Sequence, residues 1–587
     1  MAELADALRS GRSEGSLMWV QVPPSAPAKP AQAGFLFHLL LENCDYDFLL
    51  SLNSFLYNSD MNIKSQFSFT IKNTLQVLVA WAVVVFAALI VLQQANPALN
   101  KLGRDAGAFM YIGSRILHGD APYLAAWDSK PPGTFLVSAA GLWIGRGTRW
   151  GVWIIEFTLL SIAAILGYTA LRKQFGVGVA LFSSVIWLYG LNSLLIGGNM
   201  TEEYSLFFGF VAVFLLFFSL GCSKTAWIDF GIGICAGSSF LFRPNNIGAQ
   251  ISIALTIMIL MIAKKQYLSL FKRFVLIGLG ALLPLIAITI YLISKGALQA
   301  FWEASFLYNF SYAGGDRFNP ISAFSSGLSQ LGIPAGIALL GWLIALPVII
   351  NQFKRQEEIT PVYLWVVVAG VVEVLLSGLS GRNYEHYFIN WLPFVALSSS
   401  VLIAHTYPGF VEWTRKRSLE FVLLFALVFL SYFNDVPGLF WQSVQPLLFD
   451  RSKPVQSVDL VAEYVNINST SGDTVLVWGG QAGINFLSQR DSPTRYLFYP
   501  LYVPSDMTDK MSTDFYNTLL ANPPALIVDG TTYDPNQLIP LSTASPLLWL
   551  QEHNIYNTPY LMETLAFVRK NYVLVDTVNG VDIYRRK

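Results

Sequence analysis

Apolar residues in this chain come in long unbroken runs rather than in the alternation of a half-buried strand or the narrow stripe of a surface helix. A bilayer core about 30 Å thick needs roughly 20 apolar residues per helix. Eleven runs reach or approach that length, at 74–94, 150–171, 177–196, 204–221, 226–243, 246–263, 274–293, 332–351, 361–380, 387–404 and 419–441. Basic residues gather after alternate runs: Lys64 and Lys72, Arg172 and Lys173, Lys224, Lys264 and Lys265, Lys272 and Arg273, Lys354 and Arg355, and Arg415 to Arg417. Those ends are expected on the cytoplasmic side. The run PPGTFLVSAAGLWIG, 131–145, is short and opens on two prolines, so it is expected at the interface rather than across the membrane. The N-terminus then lies inside and the C-terminus outside, with the loops 95–149, 197–203, 243–246, 294–331 and 381–386 on the outer face.

Beyond Trp441 the pattern changes. Residues 446–587 read as a compact α/β unit, with helical VDLVAEYVN and AGINFLSQ and strands TVLVWG, ALIVDG, YVLVDTV and VDIYRR. The expected fold class is a polytopic α-helical membrane protein of about eleven transmembrane helices, residues 61–445, followed by an extracytoplasmic α/β domain, 446–587. Residues 1–60 resemble the conceptual translation of a transfer-RNA gene and are expected to stand outside the fold. Met61 then opens the membrane domain with a short basic lead.

Composition agrees with lipid as the solvent: 54% of residues are hydrophobic and only 13% charged. The net charge is zero, so nothing in the balance suggests an electrostatic partner, and no nucleic acid is expected. Five His and three Cys are too scattered for a zinc framework, and Cys222 and Cys235 fall in apolar segments as small hydrophobes. No Walker-type glycine loop argues for an ATP-driven machine. No repeat of the kind that marks secondary transporters is present.

The polar residues that carry chemistry concentrate in the outer loops. The first holds RDAGAFMYIGSRILHGDAPYLAAWDSKPPG, with Asp105 near its start and Lys130 before the interfacial helix. Glu202 and Glu203 sit together in GGNMTEEYSLFF, Arg243 in FLFRPNN, and Arg382 and His386 in GRNYEHYF. Carboxylates and cations at headgroup depth need water or partners, and cations there suit a phosphate. Each also has a plainer reading: Asp105 as a partner of Arg104 or a helix cap, the glutamates as a solvated helix start, the cations as interfacial anchors.

An early acidic residue, a G-x-PY segment and a W-D-x-KPPG turn, in that order, resemble bacterial members of the family 39 glycosyltransferases. These are relatives of protein O-mannosyltransferases and of the lipid A aminoarabinose transferase. The resemblance spans 74 to about 404 and implies a GT-C type bundle whose first outer loop bears the catalytic acid. It further implies inverting transfer of a sugar from a polyprenyl-phosphate donor to an extracytoplasmic acceptor (protein, lipid or glycan), in the cytoplasmic membrane. Asp105 would be the base, its carboxyl raised by desolvation and pulled back by any nearby cation. Glu202 would assist, with Glu203 in reserve, and Lys130, Arg243, Arg382 and His386 would clamp the phosphate. No cofactor is required on this reading. Asp105 with Glu202 could hold a divalent ion, but no ligand cluster calls for one.

Three carboxylates fall within predicted spans. Glu156 and Asp229 lie close enough to span ends to reach headgroups, and Glu373 is deeper, where an interhelical hydrogen bond is expected. The aromatic loop 294–331 reads as an interfacial belt or as a rim against a prenyl chain. The rival function is a lipid or glycan transporter, which would place its polar residues near the midplane. Here they gather on one face. A ligand sensor would not need so large a bundle.

Overall fold

The computed structural model describes residues 63–220, 225–312, 318–449, 459–499, 504–533 and 537–587. The leader through residue 60, Cys222, Lys224 and the junction 450–458 lie outside the described residues. The membrane part is helical throughout: α1 Ile63–Val91, α2 Arg104–Leu117, α3 Gly133–Ile144, α4 Arg149–Phe175, α5 Val177–Leu194, α6 Thr201–Ser219, α7 Ala226–Phe240, α8 Gly248–Ala263 and α9 Tyr267–Ser294. Then come α10 Pro320–Leu331, α11 Ile333–Arg355, α12 Pro361–Ser377, a 3₁₀ turn Glu385–Trp391 running into α13 Leu392–Thr406, and the pair α14 Ser418–Tyr432 and α15 Asp435–Phe449.

Among the described residues eight helices are long and apolar enough to cross a membrane, and α14 with α15 make a ninth if their 65° bend is one broken span. The runs at 226–243 and 246–263 fold as the shorter helices α7 and α8, of 15 and 16 residues. At 1.5 Å per residue these reach only about 23 Å, less than the full hydrocarbon thickness. α3 has 12 residues, as its short run and prolines predict. The multi-pass membrane character follows directly from these lengths.

The carboxylates within the bundle are all accommodated. Asp229 is fully buried and receives Arg273 from α9 at 2.7 Å, with the guanidinium Nε 3.0 Å from both oxygens, so it does not reach a headgroup. Glu373 packs against the start of α8, where a Cβ on Gly248 would collide with its carboxyl. Backbone N–H groups at a helix start favour a carboxyl there.

The C-terminal α/β region carries a four-stranded sheet, β1 Val475–Trp478, β2 Leu526–Asp529, β3 Tyr572–Val578 and β4 Val581–Arg586, in the order β1-β2-β4-β3. β1 and β2 run parallel and the other pairings are antiparallel. These are the four predicted strands. Side chains alternate across the sheet. Val475, Val477, Val528 and Ile583 pack with Val461 and Ala462 of the helix Leu460–Ile467 on one face. On the other, Leu476, Trp478 and Ile527 join Phe109, Tyr111, Trp127 and Phe135 of the first loop in one continuous apolar core. This region is therefore fused to the 95–149 loop through shared packing.

Candidate active site

Asp105 stands in the first turn of α2, where helix N–H groups favour negative charge. Arg104 Nε lies 3.1 Å from its Oδ1, and the carboxyl remains about a quarter exposed, at 23%. α2 is held from behind by the C-terminal region. A Cβ on Gly107 would fall 2.7 Å from Gly483 Cα and 2.9 Å from its N, so the two backbones touch. Tyr111 Oη accepts the Ser492 N–H at 2.9 Å, Arg115 pairs with Asp491, and Trp127 N donates to Arg495 O at 2.7 Å.

The W-D-S-K turn brings in the next pair. Asp128 is buried, and its Oδ1 accepts Lys130 N at 3.0 Å and stands 3.5 Å from Lys130 Nζ. That ammonium lies over the Phe109 ring, 5.1 Å from its centre, while Tyr123 Oη donates to Lys130 O at 2.9 Å. Desolvation and neighbouring charge compete here. Burial acts to raise the Asp105 carboxyl, but Lys130, Arg104 and His386 outweigh it and hold the group below its ordinary value. Sequence reasoning weighed desolvation against a cation, and the cations prevail. For Asp128 burial prevails over Lys130 and raises the carboxyl. Lys130 is raised despite burial by Asp128 and Asp105.

A third acid–base pair closes the cluster. Glu202, at the start of α6, is fully buried; Arg243 Nη1 reaches its Oε1 at 2.6 Å and Thr201 Oγ1 donates to Oε2 at 2.7 Å. The Arg243 guanidinium stacks on the Tyr387 ring, 3.5 Å from its centre. His386 stands edge-on to Tyr387 and parallel to Tyr384, and its Nδ1 is buried with no hydrogen-bond partner among the described residues. His386 acts electrostatically on both Asp105 and Glu202, and Arg243 acts on Lys130. Asp105, Asp128, Lys130, Glu202, Arg243 and His386 therefore converge at one end of the bundle.

Residues 66–440 match the family described as competence-induced protein Ccs4 N-terminal domain. The chain belongs to that family. No curated protein matches the sequence of this Ccs4-family chain. Among solved structures it is similar to ArnT from Cupriavidus metallidurans bound to undecaprenyl phosphate, with a TM-score of 0.50 at 12% identity over 86% of this chain and 97% of that one. The apo form of the same ArnT gives 0.52 at 11% identity, with the same coverage. The Archaeoglobus fulgidus oligosaccharyltransferase in the apo form aligns more loosely, with a TM-score of 0.46 at 13% identity over 78% of this chain and 71% of its own. The Ccs4-family chain thus has the GT-C membrane fold that its loop motifs resemble.

One of the expected site residues turns away from the cluster. Glu203, one step further round α6, turns to Glu156 of α4. Arg382, in the loop that leads into the 3₁₀ turn of His386, donates its backbone N–H to Ser380 Oγ at 3.3 Å. Asp128 is the residue that sequence reasoning passed over, although its place two before the lysine in W-D-S-K-P-P is the signal that could have found it. Glu156 is buried at 3% and accepts the Asn199 N–H, so it does not extend to a headgroup. Among the described residues no group of three or more His, Cys, Asp or Glu is placed to hold a metal ion.

Proposed function

We propose that this chain is a glycosyltransferase of the bacterial cytoplasmic membrane that moves a sugar from a polyprenyl-phosphate carrier to an acceptor on the outer face. Its transferase part is residues 61–445, with the N-terminus cytoplasmic and residues 446–587 outside. The observation that carries the reading is the meeting of two carboxylates, Asp105 and Glu202, with Lys130, Arg243 and His386 at one end of the bundle. An apolar cavity of about 270 Å³ supports a lipid donor: Trp391, which helps line it with Phe324, Leu328, Trp342 and Phe394, belongs to the same 3₁₀ turn as His386. ArnT is a GT-C protein whose structure holds undecaprenyl phosphate, which supports the same carrier class here.

Asp105 takes the proton of the acceptor hydroxyl as its oxygen attacks the anomeric carbon. The carbon–oxygen bond to phosphate breaks on the opposite face, so the configuration inverts. The bonding pair leaves with the phosphate, whose developing charge is met by Lys130, Arg243 and His386. Glu202 keeps the Arg243 guanidinium aimed, and Arg382 completes the cationic rim. A carboxyl held low is ionised and ready at neutral pH, though a weak base, so the proton moves late and together with bond formation.

The test is transfer of radiolabelled sugar from polyprenyl-phosphate donors to native membrane extract by the wild-type protein and Asp105→Asn. Loss of transfer with donor binding retained supports the assignment. Equal transfer by both removes Asp105 from the mechanism.

A further inference from the structure

Next to Glu202, the mechanism above leaves a second, buried carboxyl pair unused. Glu156 and Glu203 are exposed by only 3% and 5%, and a side-chain hydrogen bond joins them. Two ionised carboxylates have no hydrogen to offer each other, so one of the pair must carry a proton. The charged group facing them is the buried Arg149 at the start of α4, enough to balance one negative charge and not two; Tyr204 is the other titratable neighbour. Oε1 of Glu203 is buried and receives no N–H or O–H donor among the described residues, so a proton on the pair is the hydrogen available to it.

The pair grips a strained loop. Gly197, Gly198 and Asn199 all have left-handed backbones, with φ of 75°, 78° and 56°. Such a conformation is unfavourable for a non-glycine residue and persists only where its surroundings enforce it. Glu156 Oε1 accepts the Asn199 N–H, and Glu203 Oε2 accepts Met200 N at 3.5 Å. A Cβ on Gly198 would lie 2.5 Å from Glu156 Oε1, so only glycine fits beneath the carboxyl. Asn199 in turn binds three elements at once. Its Nδ2 donates to Ala106 O, the residue after Asp105, at 3.4 Å, and to Ser138 Oγ of α3 at 3.1 Å, while Tyr204 Oη donates to its Oδ1 at 2.8 Å.

We infer that Glu156 and Glu203 share one proton and form a latch that, through Asn199, fixes the Asp105 helix at its working distance from Glu202. They are positioning residues for the reaction proposed above, and the inference rests on that reading only for its kinetic consequence. A latch that works as a proton-bridged pair tolerates Gln in place of one member, because an amide donates the same hydrogen bond. It does not tolerate Ala.

The experiment uses the full chain in nanodiscs. In infrared spectra at neutral pH, a carbonyl band of a protonated carboxylic acid is expected in the wild type and is expected to be missing from both Glu156→Gln and Glu203→Gln. Glu156→Ala is expected to speed amide hydrogen exchange in α2 and lower kcat about tenfold or more with donor KM unchanged, whereas Glu156→Gln preserves both. A protonated band that survives in both Gln variants overturns the shared proton, and slow exchange in Glu156→Ala overturns the latch. If the wild type transfers no sugar while band and exchange behave as described, the latch stands and the reaction assignment falls.

Discussion

Gly107 offers the sharpest test of how the C-terminal region supports Asp105. A Cβ at this position would lie 2.7 Å from Gly483 Cα, and both atoms belong to packed backbone. Ordinary contact for a Cβ begins near 3.4 Å, so Gly107→Ala requires α2 and the Gly483 loop to separate by roughly 0.7 Å or more, a displacement of the size that overpacked cores resist at ~1–3 kcal/mol. Asp105 lies two residues earlier on the same helix and moves with it. A misplacement near 1 Å can slow a positioned reaction by about 100-fold, so kcat for sugar transfer is expected to fall roughly 10- to 100-fold. Donor binding, which rests more on Lys130 and Arg243, should change little. Gly483→Ala meets its nearest neighbours at 3.3 Å and 3.4 Å and should lower kcat only slightly. Gly278→Ala, in α9 with nothing within 4 Å, should be silent. The assay is radiolabelled transfer at saturating donor beside a donor-binding titration. A Gly107→Ala enzyme with wild-type kcat would refute the reasoning, because backbone contact would then not set where Asp105 stands.

Three further outcomes are expected. Arg243→Ala leaves Glu202 buried without its partner, 1% exposed, and should destabilise the protein by ~3–5 kcal/mol in chemical unfolding while weakening donor binding; Arg243→Lys keeps the charge but loses the stacking on Tyr387 and should fall between. Because Asp105 is held below its ordinary value of 3.8 chiefly by Lys130 against desolvation, it stays ionised until the pH drops below that value; the acid limb of kcat/KM should lie there, and Lys130→Met should move it upward. Arg115→Asp should loosen α2 from the C-terminal region, and the exchanged pair with Asp491→Arg should recover most of the loss. With Arg115 22% and Asp491 55% exposed, the coupling should be small, at ~0.5–1 kcal/mol in a double-mutant cycle.

The elements were largely legible because each has a local cause. Strands such as LIVD and VLVW are short apolar runs bounded by turn residues, and the helices of the bundle are uniform apolar runs. The bend between Tyr432 and Asp435 had a local signal that a reading of 419–441 as one span passed over: Asn434, Asp435, Pro437 and Gly438 interrupt the apolar residues there. In the site, Lys130 and Asp105 announced themselves as polar residues in an otherwise apolar chain. Glu202 and Glu203 could not be told apart by position alone. About 100° of helix separates consecutive side chains, and that step turns one to Arg243 and the other to Glu156. The shared core of Trp127 with Tyr496 and Phe498 is a contact between distant parts of the chain, which no local pattern reports.

The wedge of Gly483 against Gly107 also orders events in time. Ribosomes deliver α2 to the membrane long before the residues around Gly483 have been made, so the helix that carries Asp105 must wait, lacking one of its supports, through most of translation. On the function proposed above, transfer competence should therefore appear only once the residues around Gly483 have been made and folded against α2, so that half-made copies stay idle as they emerge.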